Sequence, residues 1–198
     1  MKTDILLCGV GGQGVLSMAA IIGRAAIAED HFAKQSEVHG MAQRGGGVQA
    51  HLRLSDRPIA SDLIPLGGAH LILSMEPLEG LRHLHHLAPE GVLITAAEPV
   101  LNIADYPALD ELHARIRRMP GAVLIEAGRL AADAGDPQAL NTVMVGAASH
   151  RLPMAMASLE RAVREMFSAK GEAVVATNLT AFHAGRAAAE AAGLVGAR

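Results

Sequence analysis

The sequence predicts a three-layer α/β/α fold with a mostly parallel, mixed β-sheet and a helical C-terminal third. Short apolar runs, typical of strands buried on both faces, alternate with segments whose apolar residues recur at helical spacing. A glycine-rich turn joins the first apolar run to the first helical segment, and the residues after position 137 are alanine-rich and contain no strand-like run. Such an alternation is typical of parallel strands connected by helices on both faces of a sheet.

The amino-terminal part begins with an apolar run at residues 5–8, which predicts a buried strand, followed by helical spacing over residues 14–29. Residues 47–54 alternate between apolar and polar side chains, which is typical of an exposed edge strand. A turn at residues 56–58 leads to a short apolar pair at 59–60. We therefore expect an antiparallel hairpin after residue 54 that extends the sheet.

The rest of the chain contains three more apolar runs, which predict buried strands at residues 71–73, 92–94 and 123–125. The segments between these runs predict helices at 77–88 and 108–118. The last third predicts helices at 139–148, 158–168 and 172–192 that pack on the sheet or on a partner.

Composition and charge exclude several classes of protein. The 198 residues include 17 Lys or Arg and 20 Asp or Glu, so the net charge is −3, and 51% of the residues are hydrophobic. A chain of this length buries roughly 70% of its unfolded surface, so we expect one domain over residues 1–198. The acidic balance argues against nucleic acid or a membrane surface as a partner. No apolar run reaches the roughly 18 residues of a membrane helix, and we expect a cytoplasmic protein.

The glycine-rich turn has the pattern G-x-G-x-x-G directly after a predicted strand and at the start of a predicted helix. Glycines allow a tight turn and a close approach to a ligand, and the N-terminus of a helix favours an anion. The alternative is a structural crossover turn without a ligand. The candidate ligand-binding or anion-binding residues are Gly9, Gly11, Gly12, Gln13 and Gly14.

A nicotinamide dinucleotide is a second candidate ligand for this turn. That interpretation calls for an acidic residue about 20 positions later, at the end of a second buried strand. Lys34 stands at that distance, Glu37 is the nearest acid, and residues 31–37 are too polar for a strand buried on both faces. A free-standing NAD(P)-binding enzyme or sensor is therefore the alternative function, and a homo-oligomeric scaffold without a ligand is a third.

A second candidate segment, residues 36–47, combines an acid, an imidazole, an amide, a guanidinium and four glycines without helical or strand periodicity. We expect a recognition loop, in which Arg44 can bind a carboxylate or phosphate through two hydrogen bonds and His39 can exchange protons near neutral pH. A long turn whose polar groups cap one another or face a subunit is the alternative. The candidate residues are Ser36, Glu37, His39, Gly40, Met41, Gln43, Arg44, Gly45 and Gly46.

Four weaker features complete the set of candidates. Asn141 and Asn178 are secondary site candidates that either satisfy buried backbone groups or meet a partner. His83 and His86 share a predicted helical face, for which a solvated surface is favoured over a metal site, so we expect no metal. The single cysteine, Cys8, lies on a predicted buried strand and is expected to be inert.

The motifs together resemble the small, gamma-type subunits of the 2-oxoacid:ferredoxin oxidoreductases, and the indolepyruvate-oxidising branch most of all. The resemblance rests on the glycine turn and on four further segments, in order along the chain. Gly47 stands where relatives often have a hydroxyl residue, so this chain offers no side-chain hydroxyl there. The four segments are Ser36–Gly46, Glu76-Pro77-Leu78-Glu79, Asn141–Gly146 and Asn178–Gly185.

The resemblance implies a non-redox subunit that is inactive alone. The complex would decarboxylate an aryl 2-oxoacid such as indolepyruvate with coenzyme A, giving an acyl-CoA, CO2 and reduced ferredoxin. A large catalytic subunit would hold thiamine diphosphate and the iron–sulfur clusters, with coenzyme A bound there or shared, so this chain alone holds no cofactor. Ferredoxin would be a partner through the complex, and a homodimer of the isolated chain is left open. We expect the glycine turn and residues 36–46 to lie together at the carboxyl ends of the strands.

Overall fold

The computed structural model describes residues 1–39 and 45–194, with a six-stranded mixed sheet at its centre. The strands are β1 (Lys2–Val10), β2 (Phe32–His39), β3 (Gly47–Ser55), β4 (Ala69–Ser74), β5 (Leu87–Ala96) and β6 (Val123–Ile125). Their order across the sheet is β2-β3-β1-β4-β5-β6. The predicted α/β architecture with a mixed sheet is confirmed.

Four strands, β1, β4, β5 and β6, are parallel, as the continuous apolar runs predicted. In the register of β1 and β4, Ile5 lies beside Leu71 and Cys8 beside Ser74. All four strands therefore end at one edge of the sheet, which is the edge where open α/β sheets bind ligands.

The hairpin is formed by β2 and β3, so the prediction of a hairpin after residue 54 is wrong. Strand β3 is antiparallel to both β1 and β2 and lies inside the sheet rather than at its edge. The polarity of residues 31–37 correctly excluded a strand buried on both faces, but an edge strand such as β2 tolerates charged side chains, here Lys34 and Glu37.

The chain after β3 forms a connection over residues 56–68 that is held without strand pairing. Arg53 donates through Nη1 to the carbonyl oxygens of Ser61 and Leu63, each at 2.9 Å. Its Nε donates to the fully buried carboxylate of Asp4 at 2.7 Å. Because one guanidinium binds both the sheet and the connection, residues 59–60 do not need to join the sheet.

Seven helices are present in the described residues, and the boundaries are close to those predicted. Residues 77–88 differ, because that helix ends at Arg82 and a 3₁₀ turn at Leu84–His86 leads into β5. A short helix that the sequence did not predict follows β6. The helices are α1 (Val15–Ile27), α2 (Pro77–Arg82), α3 (Leu109–Arg117), α4 (Ala127–Asp133), α5 (Leu140–Ala148), α6 (Met156–Phe167) and α7 (Glu172–Ala191). None of them is long and apolar enough to cross a membrane.

The sheet separates two hydrophobic cores, which makes the fold three-layered. Alternate residues of β1 point to opposite faces, so Ile5 and Leu7 join the larger core with α1 and α5, whereas Leu6 and Cys8 join the smaller one with Ile116 of α3. The C-terminal helices α5, α6 and α7 contribute to the larger core, as predicted.

Helices α5 and α7 touch backbone to backbone at two glycines. A Cβ atom at Gly146 would lie 1.9 Å from the carbonyl oxygen of Phe182, and one at Gly185 would lie 1.9 Å from that of Val143. Neither oxygen belongs to a flexible side chain, so any larger residue must push the helices apart. This reciprocal contact fixes the distance between α5 and the last helix.

We predict that Gly146→Ala and Gly185→Ala each lower the free energy of unfolding by about 3 kcal/mol or more, because the added methyl group overpacks the helix crossing. Urea denaturation measures the change. Gly23→Ala in α1 is the matched control, since a Cβ there meets no atom within 4 Å. It should be neutral or stabilising by up to about 1 kcal/mol. Equal destabilisation by all three substitutions would contradict the prediction.

Candidate functional site

The glycine turn connects β1 to α1 at the edge where the parallel strands end. Gly12 and Gly14 have φ angles of +100° and +76°, in the left-handed region that favours glycine. A Cβ at Gly14 would lie 2.3 Å from Nδ2 of Asn141, whereas one at Gly12 would meet no atom within 4 Å. The turn therefore packs closely against α5 at Gly14 and is open at Gly12.

Gln13 closes the turn from within. Its Oε1 accepts a hydrogen bond from the backbone N–H of Val10 at 2.7 Å, and its Nε2 donates to the carbonyl oxygen of Met75 at 3.0 Å. One side chain thus joins the end of β1 to the residue after β4. Both polar atoms of the amide of the predicted candidate Gln13 bind backbone groups, so its contribution to the site is to hold the turn.

The residues of the turn line two cavities. Within the described residues, no acceptor is found for the N–H groups of Gly12, Gly14, Val15 and Leu16, at the start of α1. A cavity of about 270 Å³ lies on the side of Val48, and one of about 380 Å³ lies on the side of Asn141. Neither lining contains Lys or Arg among the residues described. The turn can accept a carboxylate or phosphate through backbone amides.

The carboxyl end of the 36–47 segment contacts this turn. The N–H of Gly11 donates to the carbonyl oxygen of Gly46 at 2.8 Å, and Gly45 adopts a φ angle of +75°. In the adjoining sheet, Val10 lies beside Gly47. The expected proximity of the two candidate segments is confirmed for these residues.

The amino-terminal part of the same segment is a strand rather than the predicted loop. Ser36, Glu37 and His39 belong to β2, where Ser36 pairs with His51 and His39 with Val48. Because strands rise about 3.3 Å per residue, Ser36 lies about 10 Å further from the turn than His39. The segment was misjudged because an edge strand need not show a continuous apolar run. The candidates Gly40, Met41, Gln43 and Arg44 lie outside the described residues.

Two buried carboxylates follow β4 beside the turn, and the sequence did not predict a role for them. Glu76 is 1% exposed and Glu79 is 4% exposed. Glu76 is the N-cap of α2, and its Oε2 accepts from the N–H of Glu79 at 2.8 Å. The pattern Glu-Pro-x-Glu before a helix is a capping signal that could have located the helix start. Nothing in the local sequence indicated that both carboxylates are buried.

Glu79 extends from α2 toward the first residue of β3. Its Oε1 accepts from Nη1 of Arg82 at 2.6 Å, and its Oε2 lies 2.8 Å from the position of a Cβ at Gly47. Burial raises the pKa of this carboxyl, the Arg82 charge opposes that rise, and the nearby Glu76 adds to it. Gly47 therefore leaves room for this carboxylate, which would have to move if residue 47 had a side chain.

The two asparagine candidates have different roles. Asn141, in the first turn of α5, donates from Nδ2 to the carbonyl oxygen of Gly14 at 3.2 Å and so belongs to the site. Asn178 is buried between α5 and α7, where its Oδ1 accepts from Thr142 at 2.7 Å and its Nδ2 donates to Val174 at 2.9 Å. Asn178 thus satisfies buried groups within the helix crossing, which is the first of the two interpretations given for it in the sequence analysis.

The histidines after α2 do not form a solvated face, and this expectation is wrong for His86. That residue is 9% exposed, and its ring packs edge-on against His51 with centroids 5.4 Å apart. Burial, reinforced by neighbouring histidines, lowers the pKa of His51 and His86, and that of His83 to about 4. No group of three or more His, Cys, Asp or Glu in the described chain is arranged to hold a metal ion.

The lone cysteine is inaccessible. Cys8 is 0% exposed on β1. Burial raises the pKa of its thiol to about 12, so the thiol stays protonated and unreactive at neutral pH.

The fold and the site together define an open α/β domain with an amide-lined turn at the carboxyl ends of its parallel strands. The sequence profile of the pyruvate ferredoxin/flavodoxin oxidoreductase family matches residues 4–188, and the chain belongs to this family. The resemblance seen in the motifs is thereby confirmed.

Similar proteins come from archaea and bacteria. Indolepyruvate oxidoreductase subunit IorB of Methanothermobacter thermautotrophicus is 37% identical over 198 residues, which cover 96% of this chain and 98% of the relative. The crystal structure of a keto/oxoacid ferredoxin oxidoreductase gamma subunit from Geobacter sulfurreducens is 25% identical, with a TM-score of 0.71, over 96% of this chain and 99% of that one.

A longer structural neighbour shows the same fold within a larger protein. The 2-oxoglutarate:ferredoxin oxidoreductase of Magnetococcus marinus has a TM-score of 0.75 and 20% identity over 96% of this chain. This chain spans only 31% of that protein, whose structure contains 2-oxoglutarate, coenzyme A and succinyl-CoA. The likeness at this identity shows the fold.

We predict that Gln13→Ala lowers the free energy of unfolding by about 1–3 kcal/mol, because the N–H of Val10 and the carbonyl of Met75 both lose a partner. Chemical denaturation measures the change. Gln138→Ala is the control, since this exposed side chain has no hydrogen bond to any of the described residues, and it should cost less than about 0.5 kcal/mol. Similar losses for the two variants would contradict the role given to Gln13.

We predict that stability falls as the pH decreases from about 6.5 to about 4, partly through His83. Its folded pKa of about 4 lies below the ordinary value of 6.5, so the unfolded chain takes up a proton that the folded chain does not. The loss between pH 7 and pH 5 from this residue is about 2 kcal/mol. Urea midpoints at both pH values should differ less in His83→Gln, and an unchanged difference would refute the assignment.

Proposed function

We propose that this chain is the non-redox small subunit of an indolepyruvate-type 2-oxoacid:ferredoxin oxidoreductase. The observation that carries the proposal is the 37% identity to an IorB subunit over nearly the whole of both chains. The proposed complex works in the cytoplasm with a large catalytic subunit and with ferredoxin. It converts an aryl 2-oxoacid and coenzyme A to an acyl-CoA and CO2, and the two electrons released reduce ferredoxin.

The residues present do not fit an iron–sulfur cluster in this chain. A conventional cluster needs four thiolates, whereas this chain has one cysteine, which is buried and protonated. We assign the clusters and thiamine diphosphate to the large subunit. When bound there, thiamine diphosphate supplies the carbanion stabilisation that decarboxylation requires.

The glycine turn fits an anionic group of a reactant. Gly12 is open, and the residues at the start of α1, whose N–H groups have no acceptor among the described residues, line the adjacent cavity. In the proposed complex these amides bind and orient a carboxylate or phosphate, such as one of coenzyme A or of the oxoacid. Because no cation lines the two cavities among the described residues, further charge neutralisation would come from Arg44 or from the large subunit.

The alternative of a dinucleotide-binding enzyme finds no support in the sheet. The strand after α1 is β2, an antiparallel edge strand separated from β1 by β3. A dinucleotide fold instead places the second strand parallel and next to the first, with an acid at its end. Saturable binding of NAD(P) to the chain would therefore contradict the proposed function.

We predict that this chain, co-expressed and purified with the large subunit, reduces viologen dye with indolepyruvate and coenzyme A, and does so faster than with pyruvate. Phenylpyruvate completes the substrate series. Each subunit alone should be inactive, and Arg44→Ala should weaken assembly or turnover. Oxoacid consumption by the isolated chain, or saturable micromolar binding of NAD(H) or NADP(H) to it, would contradict the proposal.

A further inference from the structure

We propose that Glu76 is a positioning residue that holds Gly45–Gly47 against the glycine turn through two chains of contacts, which we call arms. The first arm ends at Asn102 and the second at Glu79. The inference deepens the proposed function, because it concerns how the candidate reactant site is assembled. It rests on the contacts of one buried carboxylate rather than on any group that binds a reactant directly.

Glu76 is placed to bind two elements at once. Its carboxylate is buried two residues after the end of β4, and its own N–H donates to Oγ of Ser74 at 3.2 Å. Oε2 caps α2 at the N–H of Glu79, whereas Oε1 accepts from the N–H of Val100 at 3.4 Å and from the hydroxyl of Tyr106. A buried charge is tolerated only with such partners, so the carboxylate keeps both elements in place.

The first arm is the connection over residues 97–108, between β5 and α3. Val100 and Tyr106 anchor it to Glu76, and Asn102 lies between them. The amide Nδ2 of Asn102 donates to the carbonyl oxygen of Gly45 at 2.5 Å. Burial and the hydrogen bond to Glu76 raise the pKa of Tyr106, so its hydroxyl remains a donor at neutral pH.

The second arm is the first turn of α2. The cap from Glu76 fixes the backbone of Glu79, whose Oε2 lies 2.8 Å from the position of a Cβ at Gly47. Gly45 thus accepts a hydrogen bond from Asn102, and the Glu79 carboxylate lies in the space beside Gly47 that a side chain there would need. Between them, the carbonyl oxygen of Gly46 accepts from Gly11 in the glycine turn.

The arrangement requires a carboxylate rather than an amide. Each oxygen of Glu76 serves a different arm, whereas the amide of a glutamine offers only one acceptor oxygen. Glu76→Gln must therefore lose the acceptor for the N–H of either Glu79 or Val100, while Tyr106→Phe and Asn102→Ala weaken the first arm alone. Asp105→Asn is the matched control, because Asp105 is an exposed neighbour of Tyr106 in the same connection.

Amide hydrogen exchange of the full-length chain tests the positioning. The exchange rate at Gly11 should rise about tenfold in Tyr106→Phe and Asn102→Ala, whereas Leu6 and Leu7 in β1 and all sites in Asp105→Asn keep the parent rates. The tenfold change corresponds to about 1.4 kcal/mol of local opening. An unchanged rate at Gly11 in both variants overturns the inference, even if Glu76→Gln fails to fold.

Kinetics of the complex with the large subunit tests the link to the reactants. Tyr106→Phe and Asn102→Ala should raise KM for coenzyme A or for the 2-oxoacid at least threefold, with kcat within twofold of the parent. The reactant whose KM rises is the one oriented by the turn. Unchanged KM for both reactants overturns this link. If the parent complex is inactive, the proposed function fails, while exchange at Gly11 still decides the positioning.

Discussion

The site depends on the two hydrogen bonds by which Gln13 fastens the glycine turn to the sheet. The bonds join the end of β1 to the residue after β4, across the pair of parallel strands at the centre of the sheet. With the turn held there, α1 starts at the strand ends, a cavity lies on each side of the turn, and the carbonyl oxygen of Gly14 is close enough to α5 to accept a hydrogen bond from Asn141. Removing this link would free the turn that Asn141 and Gly46 contact.

The parts of the fold that the sequence predicted are those in which burial is continuous. Strands β4, β5 and β6 and helices α1, α3, α5, α6 and α7 follow from apolar runs and apolar spacing, because each is covered by a neighbouring layer. The hairpin was missed for the opposite reason. Strand β2 is defined by backbone pairing with β3, and its half-exposed side chains contain no equivalent signal.

The site was predictable only where backbone geometry requires a particular residue. Glycines at left-handed positions marked the turn, whereas the roles of Glu76 and Tyr106 arise from contacts between residues 30 positions apart. Burial cannot be derived from local polarity either, as His86 and Glu79 show. Asn178 followed a helical apolar pattern in the sequence, but only the structure distinguishes its partner Thr142 from a ligand.

The crossing of α5 and α7 has a consequence for the cavity beside the turn. That cavity is lined by Leu140 and Asn141, which lie at the start of α5. The same helix contains Gly146, which packs against α7. Helix α5 has its most extensive packing with α7, so the close approach at the two glycines constrains its position. The C-terminal helix, distant in sequence and outside the cavity lining, therefore helps to position the wall that α5 offers to an incoming molecule.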